Sequence, residues 1–463
     1  MNRLDDALIQ RVERDLGDGS MIIDPDILNP YGRDESGEGP YLPDALIRPD
    51  TPDGVRTTLR LCNEAGVPVT ARGGGTGKSG GALPLAGGVV VSFERMNKIL
   101  DIDVEDMVGV VEPGVVLETF QDAVEEAGLF YPPDPASLDS CTIGGNLAEN
   151  AGGPRAVRYG VTCNYILGLE AALMSGRKLE LGGKTVKNVA GYDLTSLVVG
   201  SEGTLALATR IQLRLIAKPR SVAAAWATFP SLEEAAGAVR DLLVSGLEPR
   251  CLEIMDEESL SHGALEKAGM APEGKAAILL EMDGWEDVVE ERLPAAGEIC
   301  ETHNVLDIHV AQDAASRRRL WEGRRAVSSL LKEAFPWKIS EDIGVPVGRM
   351  PEVMEAIVGI GRKHGVKVAV YGHAGDGNLH TNILAPDPET RNKLIETAVT
   401  ELMIIAVEHG GTLSAEHGIG SSKKRWMEIQ HPPQELEMMR GIKSLWDPKG
   451  LLNPGKIFPS PSS

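Results

Sequence analysis

Aromatic residues make up only 4% of the 463-residue chain, so its cores must be built from Leu, Val, Ile and Ala. Cysteine is scarce too. Cys62, Cys141, Cys163, Cys251 and Cys300 form no CxxC pair, and five is an odd number. That excludes a disulfide framework and a four-cysteine iron–sulfur site within the chain, and it fits a reducing, cytoplasmic compartment. Positive charge is in deficit, with a formal net charge of −22. A protein that reads a phosphate backbone needs a basic footprint, so nucleic acid is not an expected partner. No run of 18 apolar residues suggests a membrane span. The N-terminal stretch "MNRLDDALIQRVERDLGDG" alternates like an amphipathic helix and lacks the apolar core of a signal peptide. Internal repeats and low-complexity tracts are missing as well.

What the chain does have is glycine, 53 of them, and a length beyond one ordinary core. "TPDGVRTTLRLCNEAG" reads as a helix, with Thr51 as N-cap and Pro52 at its first position. "VPVTA", "GVVVSF" and "MVGVVEPGVVL" read as strands, and "LETFQDAVEEAG" as a helix. Around residue 219, at "AKPRS", the pattern changes. "SVAAAWATF", "SLEEAAGAVRDLLVSG", "CLEIMD" and "AAILLEMDG" read as strand, helix, strand, strand. "PEVMEAIVGIGRKHG", "VKVAVYGH" and "NLHTNIL" repeat the theme. Such units make an α+β domain with one broad antiparallel sheet. The expected division is 1–219, 220–420 and a proline-punctuated tail, 421–463, which must pack on something already built.

Glycine clusters carry the first chemical signal. "RGGGTGKSGG" holds six glycines between Gly73 and Gly81. Successive backbone N–H groups without side chains can close around a pyrophosphate. The loop is not a Walker A motif, since it lacks the GxxxxGK[ST] spacing and the helix that should follow, and it sits in no clean Rossmann unit. A flexible surface loop is the plain alternative. "CTIGGNLAENAGG" and "GSEGTL" add two further clusters, which together suggest an extended dinucleotide ligand.

Histidine carries the second signal, in "YGHAGDGNLH". Asp-Gly is a strong two-residue hairpin signal. With Asp376 and Gly377 at the centre of such a turn, His373 would face His380 across the strands. Directly opposite residues project on one face. A pair of surface histidines is the alternative. "SAEHGIG" supplies Glu416 beside His417.

"PVTARGGGTGKSGGALP", "YPPDPASLDSCTIGGNLAENAGG", "RYGVT", "GYDLTSLVVGSEGTL", "GHAGDGNLH", "SAEHGIG" and "DPKGLLNPGKIF" occur in the order found in FAD-linked 2-hydroxyacid dehydrogenases. The chain thus resembles the family of D-lactate dehydrogenases, the glycolate oxidase catalytic subunit and D-2-hydroxyglutarate dehydrogenase, within the vanillyl-alcohol-oxidase-type flavoproteins. The resemblance spans residues 40 to 460. It implies an N-terminal PCMH-type FAD-binding domain and a C-terminal FAD-linked-oxidase cap domain.

It also implies site residues. Arg72, Gly73, Gly74, Gly75, Thr76, Gly77, Ser79 and Gly80 would surround the FAD pyrophosphate. Pro113, Gly114, Thr142, Ile143, Gly144, Gly145, Asn146, Gly153, Gly203 and Thr204 would be further flavin contacts, and Asn453 would return from the tail. Lys78 departs from the family pattern, which has an apolar residue there. His373, His380 and Glu416 would hold a divalent metal; such donors suit Zn, and also Fe or Mn. His417 would be the catalytic base, and Arg324 and Lys338 would hold the substrate carboxylate, with Ser328 one turn after Arg324. Arg325 reads as a surface residue.

The implied reaction takes a D-2-hydroxy acid, D-lactate or glycolate first and D-2-hydroxyglutarate second, to its 2-oxo acid. FAD is expected to be bound without a covalent link, because residues 70–81 contain no His or Cys. The chain has no iron–sulfur spacing, no CxxCH and no nicotinamide fingerprint. The expected electron acceptor is therefore a protein: an electron-transfer flavoprotein, a cytochrome or an iron–sulfur subunit. Two rival classes remain, a metal hydrolase without flavin and a non-catalytic FAD-binding electron-transfer subunit.

Overall fold

A computed structural model describes residues 4–270 and 273–459. The chain forms two compact units. The first comprises residues 1–151, 161–218 and 417–463, and the second comprises 152–160 and 219–416.

The first unit opens with the amphipathic helix Asp6–Leu16, which buries Leu8 and Val12. The helix Pro52–Ala65 starts as its sequence dictates. Thr51 accepts a hydrogen bond from the Gly54 amide, Pro52 occupies the first turn, and Gly66 closes the helix in the left-handed conformation at φ +72°. Two sheets follow. Strand Val89–Ser92 runs parallel between Ala45–Ile47 and Val69–Arg72. Five antiparallel strands, in the order Ile99–Asp103, Val108–Val111, Leu207–Arg214, Ile166–Ala172 and Lys178–Gly182, make the second sheet. The C-terminal segment packs on the first sheet. The Val69 amide donates to Leu451 O at 2.8 Å and the Asn453 amide to Val69 O at 2.7 Å, while Leu451 and Leu452 enter the aliphatic core. This docking brings Asn453 to the start of the strand that feeds the glycine loop.

The second unit is built on one seven-stranded sheet. Its strands are β1 (Ser221–Phe229), β2 (Cys251–Asp256), β3 (Ala276–Gly284), β4 (Asp307–Val310), β5 (Ile339–Gly344), β6 (Lys367–His373) and β7 (Asn378–Leu384). The order is β4-β1-β3-β2-β6-β7-β5, and every neighbouring pair is antiparallel. Helix α1 (Ala314–Ala334) turns Leu320, Gly323, Arg324, Val327 and Leu331 inward at helical spacing. Its apolar residues join Met255, Leu279, Ala369 and Tyr371 in one core, so α1 covers the face of the sheet that carries those side chains.

Candidate active site

In the first unit, the loop after strand Val69–Arg72 borders a cavity of about 790 Å³. Arg72, Gly73, Gly74, Gly114, Ser140 and Thr142 are among its walls. The backbone here approaches too closely for side chains: a Cβ on Gly74 would lie 2.3 Å from Ser140 O. Arg72 is held at the rim, donating to Arg33 O at 2.7 Å, with its guanidinium 5.5 Å from the Tyr31 ring. Thr142 caps helix Ile143–Glu149, where it accepts from the Gly145 amide. Asn453 donates to Gly81 O at 3.0 Å and to Glu202 O at 2.7 Å, and its Oδ1 is left buried without a partner. Ser79 Oγ is also buried and unsatisfied. A close-packed glycine cradle with a cation at its rim and unsatisfied buried polar atoms suits a large phosphate-bearing cofactor. Lys78 is exposed. Gly153 belongs to the 152–160 segment of the second unit, whereas the other cradle residues belong to the first.

The sequence drew no attention to Glu202. Its carboxylate accepts from the Ile419 amide at 2.8 Å and the Gly420 amide at 2.7 Å, and so fixes the turn just after His417. Glu202 itself sits at φ +52°. Glu149 is half-buried beside it; desolvation and the neighbouring Glu202 charge raise its pKa well above the ordinary range.

In the second unit the donor residues come from adjacent strands, in a register that differs from the two-residue turn. His373 pairs with Asn378, and Tyr371 pairs with His380. The connection is therefore a four-residue turn, Ala374 to Gly377. Neighbouring chain captures its backbone, which explains the wider loop: the Gly375 amide donates to Leu252 O at 3.0 Å, and the Val345 amide to Gly377 O at 2.9 Å. His373 and His380 become diagonal neighbours on one face, with ring centroids 5.2 Å apart.

Both Nε2 atoms turn toward Glu416 Oε1, at 3.9 Å from His373 and 3.6 Å from His380. One donor atom from each of the three residues falls within 4.8 Å of the others. Two imidazoles and a carboxylate converging in this way fit a divalent ion with open positions. Asp342, fully buried and opposite His380 on β5, accepts from the Ala415 and Glu416 amides, both at 2.8 Å, and so holds Glu416 in place.

Glu253, opposite His373 on β2, accepts from His373 Nδ1 at 2.6 Å. Burial alone would lower the His373 pKa, but the Glu253 and Glu416 carboxylates outweigh it and leave the imidazole well above its ordinary range. Burial raises the Asp376 carboxyl in the turn to about 6.

Arg324 descends from α1 and forms a 2.6 Å ion pair with Glu253, its guanidinium 4.7 Å from the Tyr371 ring centroid. Its Nε is buried with no hydrogen-bond partner. Lys338 Nζ donates to Ser340 Oγ and Asn382 Oδ1, both at 2.6 Å, and reaches Ser328 Oγ at 3.4 Å. Arg325 points outward against the Trp321 ring. His417 is the residue at which the chain passes back to the first unit.

Comparison with known proteins decides the family. The family described as "FAD linked oxidases, C-terminal domain" matches residues 218–457, and "FAD binding domain" matches residues 43–182. The chain belongs to the FAD-linked oxidases. It is an oxidoreductase with a two-domain FAD-binding architecture and an antiparallel sheet in its C-terminal region. The glycolate oxidase subunit GlcD of Bacillus subtilis is 39% identical over 92% of this chain and 92% of its own. The D-lactate dehydrogenase of Archaeoglobus fulgidus is 36% identical over 89% and 90%. The D-2-hydroxyglutarate dehydrogenase of Stutzerimonas stutzeri is 34% identical over 98% and 99%.

Among solved structures, p-cresol methylhydroxylase with bound substrate superposes with a TM-score of 0.79 at 17% identity, covering 98% of this chain and 96% of that one. The 4-ethylphenol oxidase of Gulosibacter chungangensis gives 0.77 at 19%, covering 98% and 97%. These two share the fold.

Proposed function

We propose that this FAD-linked oxidase is a dehydrogenase of D-2-hydroxy acids, with D-lactate or glycolate as substrate and the 2-oxo acid as product. The observation that carries the reading is the convergence of His373, His380 and Glu416 at the sheet face onto which α1 lowers Arg324. Bound FAD supplies the acceptor for the hydride leaving C2, and a divalent ion supplies positive charge that makes the hydroxyl more acidic.

The protein's own residues do the rest. His417, next in sequence to Glu416, takes the hydroxyl proton. Arg324 presents a planar guanidinium fork that suits a carboxylate, and Lys338 adds a point charge. Loss of that proton and of a hydride from C2 turns the alcohol into a carbonyl, with two electrons left to pass on to a protein acceptor. Asp342 keeps Glu416 in register through backbone amides.

A second reading, oxidation of D-2-hydroxyglutarate, draws on the presence of two cationic side chains. Arg324 and Lys338 could each take one carboxylate of a diacid. The test is a substrate panel with an artificial dye acceptor, run before and after chelator treatment. Turnover should vanish on chelation and return with added metal while flavin absorbance persists. Full activity in a metal-free preparation would refute the metal assignment. A kcat/KM for 2-hydroxyglutarate far above that for lactate and glycolate would select the second reading.

A further inference from the structure

Glu253 is an acid in the middle of a wholly buried strand, and none of its surface is exposed. An ionised carboxylate in such a place costs several kcal/mol unless it is paired. Two groups meet it, one on each oxygen. Oε1 lies 2.6 Å from His373 Nδ1, and Oε2 lies 2.6 Å from Arg324 Nη2. One side chain therefore touches a member of the metal-donor set and the cation proposed for the substrate carboxylate. A purely structural ion pair would need Arg324 alone.

The histidine contact has its own chemical consequence. In the neutral imidazole that a metal requires, an Nδ1–H donated to a carboxylate puts the lone pair on Nε2, the atom that faces Glu416. The arginine contact is an ion pair that leaves Glu253 Oε2 and the buried Arg324 Nε without hydrogen-bond partners.

We propose that Glu253 is a positioning residue that couples the two sites, holding His373 for the metal and Arg324 for the substrate carboxylate so that occupancy of either favours the other. The inference rests on the roles proposed above for His373 and Arg324. With a metal held at His373 Nε2, the Nδ1–H would be a stronger donor, drawing Glu253 toward the imidazole and freeing Arg324 for an incoming carboxylate. A carboxylate on Arg324 shares its positive charge and leaves Glu253 a stronger acceptor for His373. Binding linkage requires the two effects to be equal in size.

The experiment uses the flavin-loaded enzyme and Zn²⁺ as the probe. Zn²⁺ affinity is measured by competition with a chromophoric chelator, with and without a saturating amount of the 2-oxo acid product of the fastest panel substrate. In the wild type the product should tighten Zn²⁺ binding by a factor of about 5 or more. Glu253→Gln should weaken Zn²⁺ binding by about 10–100-fold and shrink the effect of the product to less than twofold. Glu253→Asp should recover part of both.

Flavin content and the thermal melt report folding. If Glu253→Gln does not fold, Glu253→Asp carries the same measurement, with a smaller loss of Zn²⁺ affinity and of product coupling expected. Zn²⁺ affinity and product coupling both unchanged in the variant would overturn the proposal while leaving the functional reading intact. A wild type that takes neither Zn²⁺ nor Mn²⁺ would overturn the metal assignment, and this proposal with it.

Discussion

At the scale of single residues, His417 has the role most open to test. It follows the proposed ligand Glu416, and the turn after it is pinned by Glu202. His417→Ala should keep flavin and metal and lose kcat by about 10²–10⁴-fold, the usual worth of a general base; single-turnover flavin reduction measures it. Asp256 offers a stability test in the second unit. Burial lifts its carboxyl to about 6 against an ordinary 3.8, even though Ser259 and the Val370 amide hydrogen-bond to it. The folded state therefore holds the proton more tightly than the unfolded chain. That contribution is complete below the unfolded value and is lost as pH rises through about 6. The tighter hold on the proton is worth up to about 3 kcal/mol. Denaturant unfolding of the wild type and Asp256→Asn between pH 4 and 7 should show the wild type gaining relative to the variant on acidification. A difference constant with pH would show an ordinary carboxyl.

Among the elements, the hairpin of β6 and β7 sets the donor geometry. Gly377 lies at φ +81°, and a Cβ there would come within 1.9 Å of Val345 O. Strain and clash together should make Gly377→Ala cost about 3 kcal/mol or more. Because the same turn spaces His373 from His380, the variant should also lose metal. A thermal melt with metal analysis checks both, and a stable variant with full metal content would show that the turn adapts. The helix Pro52–Ala65 was legible from Thr51, Pro52 and Gly66 because caps are local chemistry. The four-residue turn was not. Asp-Gly favours a two-residue hairpin in isolation, and the competing hydrogen bonds come from Leu252 and Val345, distant in sequence.

Over the whole molecule, the net charge of −22 shapes the proposed step that follows chemistry. If the two electrons pass to a protein, the acidic surface favours a partner with a basic docking face. Turnover with that partner should fall as salt rises and the screening length shrinks from about 30 Å at 0.01 M to about 10 Å at 0.1 M. Turnover with a small dye should barely change. Stoichiometric peroxide release in air, as fast as dye reduction, would instead mark an oxidase that needs no partner. No described helix is long and apolar enough to cross a membrane.

The glycine clusters, the spaced histidines and the Glu416-His417 pair stand out in the linear chain, because the roles proposed for them, phosphate cradle and metal donors, demand particular residue types at short range. So was the change of pattern near residue 219. The supporting carboxylates were not. Glu253 lies 120 residues from His373. Asp342 precedes the Glu416 amide it accepts from by 74, and Glu202 lies 217 residues before the Ile419 amide. In Cys251–Asp256, acids among apolar residues look like misplaced charge until the folded sheet supplies their partners. Which buried acid faces which cation is set by strand register and by helix packing across the sheet. Those long-range pairings exist only once the chain has closed on itself.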